Sequence, residues 1–337
     1  MLATDLQPDR ILELGYAFRK AKVLLSAVEL ELFTALAEAP LDCDALKQCV
    51  GIDPRGARDF FDALVALGLL ERDSAGRYSN TPETHYYLDA GKPSYIGGDL
   101  AHLNARMYQS WTGLTAALKT GKPQNGLAKS DYFPTLYADQ AALDAFVRGM
   151  TGGSLLAAAA IATKFPWRDH ATFIDVGTAE GCLPVEIARV HGHIRGGGFD
   201  LPQVRPHFED YVRKHDLGER LSFYPGDFLS ARLPGADVLV MGRILHNWDL
   251  ATKKMLLARA YEALPAGGAL IVYERLIDDD RRANSAGLLA SLHMLIMTAG
   301  GFDFTAADCT GWMREAGFER TCVEPLALGL SMIVATK

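Results

Sequence analysis

Residues 172–200, TFIDVGTAEGCLPVEIARVHGHIRGGGFD, contain the pattern that decides the fold. A short apolar, β-branched run at 172–176 is followed by a turn that Gly177 and Gly181 bracket. Apolar residues then recur at helical spacing before a second strand ends at Asp200. The order strand, glycine turn, helix, strand predicts a βαβ unit.

The turn carries only part of the glycine fingerprint of dinucleotide-binding proteins, because Gly177-x-x-x-Gly181 replaces G-x-G-x-x-G. Asp175 and Glu180 beside it would repel a pyrophosphate, which argues against NAD. They suit a ligand that presents an ammonium group, such as the methionine moiety of S-adenosylmethionine, while Asp200 can accept hydrogen bonds from both ribose hydroxyls. A turn of this kind can also merely connect a strand to a helix.

Length and composition favour a globular protein of about two domains that binds a small molecule. The chain has 337 residues, 49% of them hydrophobic, and a net charge of −7 without a basic run, which argues against nucleic acid or a membrane surface as the partner. Its five cysteines are scattered, so neither disulfides nor a metal site are expected. With no signal-peptide pattern and no uncharged apolar run of 18 residues, we expect no membrane span and a cytoplasmic location.

The N-terminal region predicts a winged helix. Residues 9–38 have apolar residues at helical spacing over two helices, 42–50 and 53–67 start with capping aspartates, and 69–82 predict two strands around a turn. The helix in the recognition position carries more acidic than basic residues, which disfavours DNA. The wide apolar faces of the first helices predict a homodimer.

Residues 99–165 are helical by period and rich in aromatic side chains, which predicts either a wall of a substrate pocket or core packing. Core packing is favoured for each residue taken singly. These aromatic residues are Tyr108, Trp111, Tyr132, Phe133, Tyr137 and Phe146.

Polar residues recur where successive apolar runs end. In a doubly wound parallel sheet, ligands bind outside the carboxyl ends of the strands, so these residues are expected to converge. They are Asp175, Asp200, Asp227, His246 and Glu274. We therefore predict an α/β chain with a Rossmann-like doubly wound sheet, whose last strand is antiparallel, after a mostly helical winged-helix domain.

The motifs at these strand ends resemble those of S-adenosylmethionine-dependent O-methyltransferases of the caffeic acid and acetylserotonin type. The likeness covers nearly the whole chain and is carried by FIDVG at 173–177, GFDLP at 198–202, GDF at 226–228 and ILHNWD at 244–249. It implies a winged-helix dimerisation domain at 1–98, a helical pocket wall at 99–165 and a methyltransferase domain at 166–337.

The resemblance also implies a role for each matching residue. Gly177 would approach the methionine moiety, Asp200 would hold the ribose, and the cofactor cradle would be completed by Leu201, Asp227, Phe228, Arg243 and Trp248. His246 falls where the family has its general base, and Glu274 falls where a carboxylate orients that histidine. With a pKa near 6.5, a histidine can accept a hydroxyl proton at neutral pH.

Three places depart from the family pattern. Asn247 stands where His-Asp-Trp is common, and Asp303 stands between two phenylalanines where a longer acid has polar neighbours. We still include Asp303 among the candidate catalytic residues. Met294, Met297 and His293 precede this loop, where methionines suit an apolar or sulfur-bearing acceptor or simply fill the core.

The sequence thus predicts methyl transfer to a hydroxyl of a small, aromatic molecule with His246 as base. One alternative is S-methylation of a small methylthio hydroxy acid such as 4-methylthio-2-hydroxybutyrate, which needs no base and in which Arg106 or Arg148 would hold the carboxylate. A second alternative is a catalytically inactive winged-helix sensor of the cofactor.

Overall fold

The computed structural model describes residues 6–124 and 132–337, with the side chains of 132–134 left out. The chain divides into two compact units, Met1–Tyr108 and Gln109–Lys337. The finer division at 98/99 and 165/166 stays a prediction.

The first unit has the predicted order of four helices, the second of them only four residues long, followed by a two-stranded sheet. Its elements are α1 (Asp9–Glu29), α2 (Leu32–Ala35), α3 (Cys43–Val50), α4 (Pro54–Ala66), β1 (Leu70–Arg72), β2 (Tyr78–Asn80), α5 (Pro82–Tyr87), α6 (Gly97–His102) and a π-helical turn (Leu103–Met107). Asp42 and Asp53 cap α3 and α4 by accepting from Ala45 N and Arg55 N, each at 2.8 Å, as their sequence positions predict. β1 and β2 pair antiparallel around the predicted turn.

The core of the first unit forms around Phe33, Phe61 and Tyr78, which are at most 2% exposed. Asp62 on α4 accepts from the Tyr78 hydroxyl at 2.7 Å and pairs with Arg72 at 2.8 Å, so its charge is already compensated within the unit. Outside this core, the N-terminal half of α1 leaves large apolar side chains exposed. They are Ile11 (76%), Leu12 (49%), Leu14 (78%), Tyr16 (51%) and Phe18 (56%).

The second unit is built on a seven-stranded sheet in the order β5-β4-β3-β6-β7-β9-β8. The strands are β3 (Thr172–Val176), β4 (Arg195–Asp200), β5 (Leu221–Pro225), β6 (Val238–Gly242), β7 (Ala269–Glu274), β8 (Arg320–Pro325) and β9 (Ser331–Thr336). The first five in this order are parallel, whereas β9 pairs antiparallel with both β7 and β8. The prediction of a doubly wound sheet with an antiparallel last strand is confirmed.

Helices cover both faces of this sheet, as parallel strands require. The helices of the second unit are α7 (Tyr108–Ser110, whose first residue belongs to the first unit), α8 (Leu114–Thr120), α9 (Tyr132–Ala138), α10 (Gln140–Lys164), α11 (Cys182–Val190), α12 (Arg205–Lys214), α13 (Leu250–Ala263), α14 (Ser285–Met297) and α15 (Ala306–Glu315). One core layer includes Trp167, Phe173 and Phe208, and the other includes Leu239 and Phe304. The carboxyl ends of β3 to β7 therefore meet at one edge, which positions the residues singled out above.

α10 is long and apolar enough to cross a membrane by length and composition alone. Of its most apolar 18-residue window, 44% is buried inside the protein. Its C-terminal half packs beside α11 and contributes Ala157, Ala158, Ile161 and Ala162 to the core. This apolar composition is thus explained by packing within the second unit.

Candidate active site

The loop that follows β3 brings bare backbone to the edge of the sheet. Gly177 and Gly181 have φ of +74° and +90°, where side chains with a Cβ are strained. A Cβ added to Gly177 would lie 2.3 Å from Ile244 Cδ1, so no larger residue fits without displacing that side chain. Glu180 is held by α10, since the Thr151 hydroxyl donates to its Oε2 at 2.7 Å.

Two carboxylates are buried beside this loop, with Asp175 5% and Asp200 4% exposed. Asp200 accepts from Ala179 N at 3.0 Å and from Leu201 N at 2.8 Å. These bonds hold the carboxylate against the loops that follow β3 and β4. Burial raises the pKa of Asp175 to about 7 and that of Asp200 to about 6. Among residues 6–124 and 132–337 no ion pair compensates either acid. A ligand with hydroxyl donors and a positive charge would compensate them.

A row of aromatic side chains continues from the glycine loop. The position of a Cβ on Gly177 is 3.8 Å from the Phe228 ring, and Phe228 meets Trp248 edge-on with centroids 6.0 Å apart. Asp227 accepts from Leu229 N at 2.8 Å and from the Ser230 hydroxyl at 3.2 Å, so it also shapes its own turn.

Arg243 and Asn247 shape the loop that follows β6. Arg243 adopts a left-handed conformation with φ of +56°, and its N–H donates to Tyr273 O at 3.0 Å. The Asn247 amide donates to Arg243 O at 3.0 Å and to Ile244 O at 3.4 Å. An aspartate could not donate to these carbonyls, which gives the departure at position 247 a structural reason.

His246 lies in the 3₁₀ turn Leu245–Asn247 and meets both candidate carboxylates at one ring nitrogen. Its Nδ1 is 3.5 Å from Glu274 Oε2 and 3.4 Å from Asp303 Oδ1, and its backbone N–H donates to Glu274 Oε1 at 3.3 Å. The imidazole is 14% exposed, whereas the Glu274 and Asp303 side chains are 1% and 0% exposed. Nε2 takes part in neither ion pair.

The electrostatics of this cluster favour a proton on the imidazole. Burial by itself lowers the pKa of His246, but the negative charges of Glu274 and Asp303 outweigh that effect and hold the pKa above its ordinary value. Burial also raises the pKa of Glu274 to about 7. Since both carboxylates attract a proton to Nδ1, the neutral ring keeps its lone pair on Nε2.

The three groups also have the spacing of a cation site, because their ligand atoms all lie within 4.8 Å of one another. The expectation that the protein uses no metal stays a prediction. A carboxylate that contacts Nδ1 of a histidine equally serves to orient the ring.

Most of the other residues considered in the sequence pack within the protein. Met294 and Met297 are buried, and Met297 packs with Ala117 and Ile296. Trp111 stacks on His293 with centroids 6.3 Å apart. The other aromatic residues lie elsewhere: Tyr108 in the first unit, Tyr137 against Phe146, and Tyr132 and Phe133 outside the described side chains.

Sequence reasoning missed Lys253, which is completely buried and close to the cluster. The sequence does carry a signal for its burial, because Lys253 shares an apolar helical stripe with Leu256, Leu257 and Ala260. It also missed Gly301, at which a Cβ would lie 2.5 Å from His246 O and 2.7 Å from Asn247 O.

A doubly wound sheet with a glycine loop, two buried acids and a histidine–carboxylate cluster at its carboxyl edge is typical of enzymes that bind a nucleoside cofactor there. Comparisons identify the family. An O-methyltransferase domain matches residues 111–319, and an O-methyltransferase dimerisation domain matches residues 12–90. The chain therefore belongs to the O-methyltransferase family and is an S-adenosylmethionine-dependent methyltransferase.

Individual relatives agree with this assignment. The chain is 41% identical over 311 residues to a tetracenomycin polyketide synthesis 8-O-methyl transferase of Streptomyces glaucescens, covering 92% of this chain and 91% of the relative. It is 35% identical over 340 residues to an N,N-dimethyltransferase of Streptomyces rimosus, covering 100% and 98%. Human N-acetylserotonin methyltransferase in complex with S-adenosylmethionine superposes with a TM-score of 0.92 at 27% identity, covering 100% and 99%.

Replacement of Asn247 by aspartate should destabilise the loop that follows β6. The carboxylate would place acceptors against the carbonyls of Arg243 and Ile244, and loss of these partly buried hydrogen bonds should cost about 1–3 kcal/mol. Chemical denaturation should show this loss, whereas Asn247→Ser, which keeps a donor, should lose less. Equal stability of Asn247→Asp and the wild type would contradict the proposed role of the amide.

Proposed function

We propose that this methyltransferase acts on a phenolic hydroxyl of a small aromatic, polyketide-type molecule, with His246 as the general base. The observation that carries the proposal is the contact of His246 Nδ1 with two buried carboxylates, which leaves Nε2 to accept a proton. The 41% identical Streptomyces relative, whose name is that of a polyketide O-methyl transferase, supports this class of acceptor.

The buried acids and the glycine loop fit S-adenosylmethionine. Asp175 would balance the positive charge of the methionine moiety, Gly177 would lie against that moiety, and Asp200 would accept from the ribose hydroxyls. The cradle would be completed by Leu201, Asp227 and Phe228 beside the adenine, and by Arg243 and Trp248. When bound, the cofactor supplies a methyl group attached to a sulfonium sulfur, and this sulfur leaves readily as a neutral thioether.

The residues of the chain then have two tasks, to hold the acceptor hydroxyl in line and to take its proton. Nε2 of His246 would receive that proton as the oxygen attacks. Glu274 and Asp303 would keep the proton of the neutral ring on Nδ1 and stabilise the imidazolium that forms. Neither task requires a metal ion, so we propose a metal-independent reaction.

One second candidate has specific support, because the 35% identical relative over the full chain carries an N,N-dimethyltransferase name. A neutral amine attacks through its lone pair and has no proton to lose before attack. An amine acceptor would therefore depend less on His246. The relatives do not favour the thioether acceptor or the inactive sensor.

We also propose that the first unit mediates a homodimer, and that the enzyme works in the cytoplasm on small molecules without binding nucleic acid or membranes. A match to a dimerisation domain at residues 12–90 supports the dimer. So do the exposed apolar residues of α1, since surfaces of that kind mark interaction sites.

Substitution of His246 by alanine should lower kcat by about 10²- to 10⁴-fold if the acceptor is a hydroxyl. Wild-type kcat should fall as the pH drops through a pKa above that of an ordinary histidine, because the base must be neutral and its pKa is raised. Steady-state kinetics measure the loss of the base. Calorimetry of S-adenosylhomocysteine binding shows whether the cofactor site is still intact. His215→Ala is a matched control. His215 is the C-cap of α12, which precedes β5, so it lies toward the amino ends of the strands and away from the catalytic cluster. Near-normal kcat in His246→Ala at saturating substrate would exclude the base role and favour the amine.

The double variant Leu14→Glu, Phe18→Glu should convert the dimer to a monomer. Both side chains are more than half exposed, and charges there would have to be desolvated at an interface. Light scattering coupled to gel filtration measures the mass, with Val190→Glu, an apolar site on α11 that is also more than half exposed, as the control. A monomeric wild type at micromolar concentration would refute the dimer.

A further inference from the structure

Lys253 is the fourth residue of α13, and it has no exposed surface. It occupies the apolar stripe of the helix, three, four and seven residues before Leu256, Leu257 and Ala260, which are also fully buried. An ammonium group at such a position is costly unless it is compensated by partners. Its neighbour Lys254 has a side chain that is 40% exposed and pairs with Glu315 at 2.6 Å.

The partners of Lys253 lie on the two segments that build the catalytic cluster. Its Nζ donates to the carbonyl of Trp248, directly after the turn that carries His246. It also lies 3.5 Å from the ring centroid of Phe302 and 5.7 Å from that of Phe304, the two residues that flank Asp303. One ammonium group therefore contacts both the base turn and the segment of the second carboxylate.

The cluster has more negative charge than His246 alone can compensate. Glu274 Oε2 and both carboxylate oxygens of Asp303 are buried, and apart from the contacts of 3.4–3.5 Å with His246 Nδ1 they have no hydrogen-bond partner among the described residues. Burial lowers the pKa of Lys253 to about 8, while the charges of Glu274, Asp303 and Asp249 oppose this change. A lysine that remains cationic here would reduce the cost of keeping two buried acids ionised.

We propose that Lys253 is a positioning residue for the base. Its ammonium group fixes the His246 turn to the Asp303 segment and provides the second positive charge of the cluster. This proposal rests on the proposed function, because Lys253 acts only through His246. The close packing of Gly301 against the carbonyls of His246 and Asn247 gives the same two segments a second point of contact.

Removal of this charge should shift the proton affinity of the whole cluster. The charged or titratable groups around Lys253 are Glu274 on β7, Asp303 after α14, Asp249 at the N-cap of α13 and Cys309 on α15; Arg243 acts on His246 from the loop after β6. Burial raises the pKa of Cys309, so this thiol stays neutral. Without the lysine cation the cluster binds protons more tightly. The acid limb of the profile, which is the fall of kcat at low pH, should therefore move to higher pH.

The test compares Lys253→Met, Lys253→Arg and Lys254→Met in the full-length enzyme, with kcat measured against pH. We expect Lys253→Met to lower kcat at pH 7 by about 10- to 100-fold, which is less than the full contribution of a general base. We also expect the acid limb to shift upward by about one pH unit. Lys253→Arg should retain the wild-type limb, and Lys254→Met should match the wild type. In a His246→Ala background, Lys253→Met should cause no further loss.

Each other outcome overturns the proposal. An unchanged profile in Lys253→Met, or a loss that is the same at all pH values and follows the melting temperature, would leave Lys253 with a structural role only. If Lys253→Met does not fold, Lys253→Gln, which keeps a donor for the Trp248 carbonyl but not the charge, must show the same shift. A wild-type profile without an acid limb would instead refute the His246 base itself, which separates the two failures.

Discussion

Two buried carboxylates share one imidazole nitrogen, and the rest of the site depends on the cost of that arrangement. Glu274 and Asp303 are almost inaccessible to water, and both lie within 3.5 Å of His246 Nδ1. Like charges so close together favour protonation of one group or the presence of nearby cations. Burial is the main cause of the raised pKa of Glu274, and the charge of Asp303 adds to it; the two carboxylates together hold the pKa of His246 above its ordinary value.

The fold meets this constraint by bringing three chain segments into close contact. β7 ends at Glu274, the turn after β6 carries His246, and the segment after α14 carries Asp303. Glycines make the approach possible: a Cβ at Gly242 would lie 1.9 Å from the Tyr273 ring, and one at Gly301 would meet the carbonyls of the His246 turn. The absence of a side chain at Gly242 and Gly301 thus allows these segments to approach one another closely.

Much of this architecture could be predicted from the sequence, because its signals are local. Capping aspartates define α3 and α4, and apolar runs that end in polar residues locate the edge at which Asp200, His246 and Glu274 converge. The function of Asn247 could not be predicted, since its partners depend on the left-handed conformation of Arg243. Lys253 was missed because a lysine on an amphipathic helix is ordinarily solvated, and only the tertiary packing places it over Phe302.

Nitrogen NMR of the enzyme with ¹⁵N-labelled imidazole side chains, titrated with pH, tests most directly whether Glu274 and Asp303 share the Nδ1 proton of His246. The chain has nine histidines, and the signals of His246 are assigned by their loss in His246→Gln. If both carboxylates hold the Nδ1 proton, the neutral ring is protonated on Nδ1, and its titration midpoint lies above that of an ordinary histidine and falls when Asp303 is replaced by asparagine. A ring protonated on Nε2, or a midpoint unaffected by Asp303→Asn, would contradict this sharing of the proton.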